Sequence, residues 1–210
     1  MWSPDGTRLA FSLDKTSPNQ GDIEVFSIRP DGEDLQPVAV TGDKLSHEEW
    51  PSWSPDGSRV AYSSTRDGNQ ELYVIGADGK QPERLTSHPA IDAHPAWSPD
   101  GHRIAFATDR FGDLEIAVAD VATQKVTRLT HSHGLDDYPA WSPDGKRLAI
   151  TSNRSGNFEI WVMNADGSGA VNLTRHRDID NFPAWSADGR ITFVSNRDAG
   201  FDVYTIQLDE

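Results

Sequence analysis

Pro139-Ala140-Trp141-Ser142-Pro143-Asp144-Gly145-Lys146-Arg147-Leu148-Ala149-Ile150-Thr151 is the stretch that decides the fold. Its first four residues end a short strand, Pro-Asp-Gly turns the chain, and Arg147 to Thr151 alternates as the next strand. The central Trp-Ser-(Pro/Ala)-Asp-Gly occurs at Trp2, Trp53, Trp97, Trp141 and Trp185, so the chain is built from five copies of one unit. The last four tryptophans are 44 residues apart and the first interval is 51. The excess falls in Lys15 to Gly21 and Gly42 to His47, polar and turn-forming segments that read as longer loops.

Beyond the turn, each copy supplies a third strand, as in Glu71 to Ile75 and Glu159 to Met163. A fourth ends in Leu-Thr at Leu85-Thr86, Leu129-Thr130 and Leu173-Thr174. No copy holds ten residues of helical apolar periodicity, which argues against a parallel sheet with crossover helices. Four short strands in 40 to 45 residues is the blade of a β-propeller, an all-β fold in which antiparallel sheets pack face to face around a channel. A lone twisted sheet leaves both faces wet. Neighbouring copies cover them, which predicts that Phe106, Ile116, Leu148, Ile160, Phe193 and Val203 are buried at matching positions, and that each motif tryptophan packs between blades.

The 210 residues, 36% of them hydrophobic, form a single propeller domain on this reading, residues 1–210. No apolar run is long enough to span a membrane, and the first residues carry neither the basic start nor the apolar stretch of a secretory signal. The absence of cysteine removes disulfides, thiolate metal sites and thiol nucleophiles. A formal charge of −14 without a basic patch argues against nucleic acid and suits cations or basic peptides.

The repeat resembles that of the TolB-like (WD-like) propellers. In these a Trp-Ser-Pro-Asp-Gly turn is followed by an Ala-Phe-type strand and a Ser-x-Arg turn. Matching residues are Trp53 to Gly57 with Ser64 and Arg66, Trp97 to Gly101 with Arg110, Trp141 to Gly145 with Ser152 and Arg154, and Trp185 to Gly189 with Ser195 and Arg197. The resemblance implies a protein-binding propeller in a bacterial periplasm or cell envelope. TolB itself has a further amino-terminal domain and six blades. Related propellers are joined to prolyl oligopeptidase-type hydrolases or act as lyases on pectic oligosaccharides. By sequence the first copy begins inside a first strand and the fifth stops after its third. The last blade is therefore expected to lack its outer strand, and the five blades to close as one monomeric ring.

The connections leading into each Pro-Ala-Trp hold the candidate site. Aligned on Pro51, Pro95, Pro139 and Pro183, they place Glu48, Asp92, Asp136 and Asp180 in one column. Trp50, His94, Tyr138 and Phe182 stand immediately before the prolines, with Glu49, Asp137 and Asp178 adding acid. A carboxylate ring at a pore suits a hard cation such as calcium, or the basic part of a peptide. The competing reading makes these acids scaffold that caps backbone or ties loops. The aromatic neighbours offer apolar or cation–π contact. Six of the seven histidines, at 47, 88, 94, 131, 133 and 176, lie in the same connections and motivate a metal-dependent lyase as the rival, without a ligand spacing that supports it. The Ser-x-Arg arginines are expected to pair with Glu71, Glu115, Glu159 and Asp202. There is no Gly-x-Ser-x-Gly elbow and no phosphate-binding Gly-x-x-x-x-Gly-Lys-(Ser/Thr). The leading expectation is a non-catalytic module that recognises a protein segment, peptide or cation at the channel mouth and needs no cofactor. A propeller fragment without a ligand of its own is the third reading.

Overall fold

A computed structural model describes residues 1–14, 22–41, 46–198 and 200–208. The predicted loop at 15–21 and residues 42–45 of the second lie outside the described residues. Five antiparallel sheets follow one another along the chain, and the described residues contain no helix. Blade 1 holds β1 (Leu9–Asp14), β2 (Ile23–Ile28) and β3 (Gln36–Ala39). Blade 2 holds β4 (Glu48–Trp53), β5 (Arg59–Ser64), β6 (Glu71–Gly76) and β7 (Glu83–Arg84). Blade 3 holds β8 (Asp92–Trp97), β9 (Arg103–Phe111), β10 (Asp113–Asp120) and β11 (Val126–Arg128). Blade 4 holds β12 (Asp136–Trp141), β13 (Arg147–Ser152), β14 (Glu159–Asn164) and β15 (Val171–Asn172). Blade 5 holds β16 (Asp180–Trp185), β17 (Arg190–Ser195) and β18 (Asp202–Gln207), without an outer strand among the described residues. Blade 1 is also short, because its innermost strand is reduced to a bridge between Trp2 and Leu9.

The repeated turn is held by its own side chains. In blade 2 the Asp56 carboxylate accepts from the Ser54 hydroxyl at 2.6 Å and from the Ser58 N–H at 3.0 Å, and Gly57 sits at φ +69°, where a Cβ is disfavoured. The same Ser-to-Asp bond recurs at 2.6 Å in blades 3 and 4. Four of the five motif tryptophans pack between blades as predicted, Trp2 being the exception. Trp97 shares a cluster with Ala61, Leu72 and Val74 of blade 2 and with Ile104 and Phe106 of blade 3, and Trp141 bridges blades 3 and 4 in the same way.

Blade 1 packs on blade 2 through β1 and β4, and from there each inner strand packs on the next, β4 on β8, β8 on β12 and β12 on β16. No comparable packing joins blade 5 to blade 1 among the described residues, contrary to the expected closure. At the interior junctions an inner strand covers the preceding third strand, so Leu72, Ile116 and Ile160 are 0% exposed. Blade 1 has only the Trp2 bridge to offer in that role. Val203, at the matching position of blade 5, is therefore 74% exposed where burial was predicted, and Trp2 is 54% exposed where Trp53, Trp97 and Trp141 are 6–7%.

Candidate functional site

The four column acids are not gathered at the pore. Glu48, Asp92, Asp136 and Asp180 are each 0% exposed and lie opposite Ser64, Thr108, Ser152 and Ser195 of the adjacent strand. Glu48, Asp136 and Asp180 are satisfied by nearby hydroxyl and guanidinium groups, whereas Asp92 has one buried oxygen, Oδ1, without a hydrogen-bond partner among the described residues. Asp136 accepts from Ser152 at 2.6 Å, Ser132 at 2.9 Å and the Arg154 guanidinium at 2.6 Å, and both oxygens of Asp180 accept from Arg197 at 2.9 Å. Asp92 is bonded to Arg110, yet burial dominates and pushes its carboxyl above the usual range, with the Arg110 and Thr108 bonds opposing. Glu48 accepts from Ser64 at 2.7 Å, with Arg66 at 3.6 Å.

The expected arginine partners are corrected accordingly. The Ser-x-Arg turn folds its guanidinium back over the first strand of the blade, so Arg66, Arg110, Arg154 and Arg197 reach the inner acids. Glu71 and Glu115 turn the other way, to Arg84 at 2.9 Å and Arg128 at 2.8 Å, while Glu159 bonds Asn172 and Ser155. No group of three or more His, Asp or Glu side chains among the described residues is placed to hold a metal ion, so the loop histidines do not converge. Asp178 stays in the loop before β16, where its carboxylate lies 3.5 Å from His176 and 3.6 Å from Arg177.

The aromatic column does come together. Trp50 meets His94 edge-on at 4.5 Å between centroids, His94 stacks on Tyr138 at 4.1 Å, and Tyr138 meets Phe182 edge-on at 4.5 Å. Every inner strand bulges there: the pairing register shifts between Glu49 and Ser52, Ala93 and Ala96, Asp137 and Ala140, and Asn181 and Ala184. At each bulge the aromatic residue adopts a left-handed backbone, φ +58° at Trp50, +52° at His94, +48° at Tyr138 and +56° at Phe182. Such a conformation costs a bulky residue about 1–3 kcal/mol, and the preceding blade helps to hold it. Ser12 accepts the Trp50 N–H at 3.2 Å and Thr151 accepts that of Phe182 at 3.2 Å.

These rings, with Pro51, Pro95, Pro139, Pro183, Trp97, Trp141 and Trp185, line a cavity of about 380 Å³ shared by the inner strands of blades 2 to 5. A second recess of about 570 Å³ runs from Trp50 along blade 1 past Ser12 and Glu49. The acids beside these rings are Glu49, which lines the second recess, and Asp137, which bonds His94, and not the column. Asp137 bonds His94 Nδ1 at 2.5 Å and accepts from the Tyr138 N–H at 2.7 Å. The Tyr138 hydroxyl pKa is raised, first by burial and then by the negative charges of Asp137 and Glu49. The sequence offered the aromatics as ligand contacts beside the acids, and the structure makes them the lining of one cavity. The signal was an aromatic before proline in every inner strand, since a residue in that position is normally barred from helical backbone.

The fold and this channel define a repeat propeller with a lined central mouth. The family described as the TolB beta propeller domain matches residues 1–132 and again 112–210, and the chain belongs to that family. Its sequence is 32% identical over 91 residues to the Tol-Pal system protein TolB of Anaeromyxobacter dehalogenans strain 2CP-C, covering 43% of this chain and 19% of the relative. The matched stretch therefore spans about a fifth of that relative's length. The structure of putative TolB from Agrobacterium tumefaciens superposes with a TM-score of 0.80 at 29% identity, over 97% of this chain and 73% of that one. TolB from Acinetobacter baumannii gives 0.86 at 25%, over 96% and 50%. An oligogalacturonate lyase in complex with manganese, at 17% identity and a TM-score of 0.70 over 98% and 63%, shares the fold alone.

Proposed function

We propose that the protein is a non-catalytic binding module whose channel mouth grips a segment of a partner protein. One observation carries this reading: four aromatic residues hold costly left-handed backbone at equivalent bulges and converge on one cavity. Strained backbone of this kind clusters at ligand-binding sites, which supports ligand contact by these rings. The floor is apolar, flanked by Glu49 and Asp137, which suits an extended segment presenting a basic residue beside an apolar one. The curated relatives are Tol-Pal system proteins, and by that likeness the partner is a protein of an envelope assembly.

A photo-crosslinking p-benzoylphenylalanine at Phe182, activated in cells of the source organism, tests the reading. The expected result is one discrete crosslinked protein whose capture is lost when Trp50→Ala and Tyr138→Ala are added. Undiminished capture in those variants would sink the channel site. Calcium is tested by thermal denaturation. Because Glu48, Asp92, Asp136 and Asp180 are already bonded inside their blades, calcium at excess is expected to leave the melting temperature unchanged; a rise reversed by chelator would restore a cation site.

A further inference from the structure

Of the four side chains that converge on the cavity, His94 differs from the rest in hydrogen-bonding capacity. Trp50 only donates, Phe182 does neither, and the Tyr138 hydroxyl rotates to do either, whereas an imidazole nitrogen without a proton only accepts. His94 Nδ1 lies 2.5 Å from Asp137 Oδ1, across the junction between β8 of blade 3 and β12 of blade 4. Both side chains are largely shielded from solvent, at 16% and 15% exposed. An ionised carboxylate only accepts, so the proton of this bond sits on Nδ1, and the neutral ring keeps its lone pair on Nε2. Nε2 has no partner among the described residues. The stack on Tyr138 and the edge contact with Trp50 hold the ring plane, so this lone pair is fixed in direction.

Holding the bulge does not require a charge. In blade 5 the amide oxygen of Asn181 accepts the Phe182 N–H at 2.9 Å and the Thr151 hydroxyl at 2.8 Å. Asp137 Oδ1 serves the Tyr138 N–H in the same way at 2.7 Å, so a neutral Asn would keep the left-handed ring in place. The carboxylate at Asp137 is additional, and His94 is what it acts on. Two other acceptors of the lining are already taken: the Ala96 and Ala140 carbonyls accept the indole N–H of Trp141 and Trp185, each at 3.1 Å.

We propose that His94 is a specificity-determining residue of the cavity: Nε2 is a fixed hydrogen-bond acceptor in a largely apolar lining, and the bound segment places an N–H or O–H donor on it. The inference rests on the cavity being a binding site. Asp137 is a positioning residue that sets the tautomer. A segment with no donor at this point leaves the Nε2 lone pair desolvated and unpaired, and binds more weakly for that reason. The basic residue that Glu49 and Asp137 favour is such a donor.

The probes are p-cresol and 4-methylanisole, alike in shape except that the ether has no donor, titrated separately into the isotope-labelled full chain at pH 8. Magnetic resonance of the imidazole nitrogens reads His94 directly, its signals being those lost in His94→Phe. The expected result is a proton on Nδ1 and none on Nε2, with p-cresol moving the Nε2 signal and binding roughly fivefold more tightly than the ether, about 1 kcal/mol. His94→Phe keeps a ring against Tyr138 and should bind both probes alike. The preference between probes is read on the unaltered chain, so it does not depend on the variant folding. Equal affinity for the two probes, a preference that survives in His94→Phe, or a proton on Nε2 overturns the inference and leaves the cavity a binding site. Binding of neither probe overturns the cavity reading itself, and the inference with it.

Discussion

Replacing Arg154 by Met strands one charge inside blade 4. Asp136 is 0% exposed, and the Arg154 guanidinium, 18% exposed, is the only cation among the described residues that pairs with it, at 2.6 Å. The guanidinium also lies over Trp161 at 4.7 Å and bonds Ser152 at 2.9 Å. Removing one partner of a buried ion pair costs about 3–5 kcal/mol, because the remaining charge keeps its desolvation without its compensation. The hydroxyls of Ser152 and Ser132 remain on Asp136 at 2.6 and 2.9 Å, which puts the expected loss near the lower end, about 3 kcal/mol. Methionine preserves most of the stem that packs against the indole, so the loss reports charge more than volume. Urea denaturation is the assay, with Asp136→Asn and the double variant completing the cycle. The double variant leaves no charge stranded and is expected to be more stable than Arg154→Met alone by about 1 kcal/mol or more. A loss below about 1 kcal/mol for Arg154→Met, the range of surface sites, would refute the reasoning, as would a double variant whose losses simply add.

Two further outcomes follow from the turn motif. Trp141→Ala is expected to destabilise by about 3–5 kcal/mol and Trp2→Ala by less than about 0.5, since one is wedged between blades and the other is 54% exposed; equal losses would contradict the packing. Asp56 is held at about 2 by the Ser54 hydroxyl first and then by the Ser58 N–H and hydroxyl, against an ordinary value of 3.8. A depressed folded-state value adds stability above pH 3.8 that fades as pH falls toward 2. NMR titration of the Asp56 carboxyl should show the low midpoint, and Ser54→Ala should move it up; a midpoint near the ordinary value would remove the turn's hydroxyl bond.

The repeat alone determined a great deal. Trp-Ser-(Pro/Ala)-Asp-Gly specifies a turn by local chemistry, hydroxyl to carboxylate two residues on, and its recurrence announced the blades before any contact was known. The family followed from the same residues, as did the inner-strand connections as the place to look. Tertiary structure decided what those connections present. Glu48, Asp92, Asp136 and Asp180 align in sequence whether they face a pore or a guanidinium, and only the fold-back of each Ser-x-Arg turn hides them. Trp50, His94, Tyr138 and Phe182 are 44 residues apart in sequence and share a cavity only because the bulges turn all four toward one axis. Val203 shows the same limit. It repeats the pattern of Ile160, yet burial needs a neighbour's inner strand, and periodicity along one chain carries no information about whether the next blade is there to cover it.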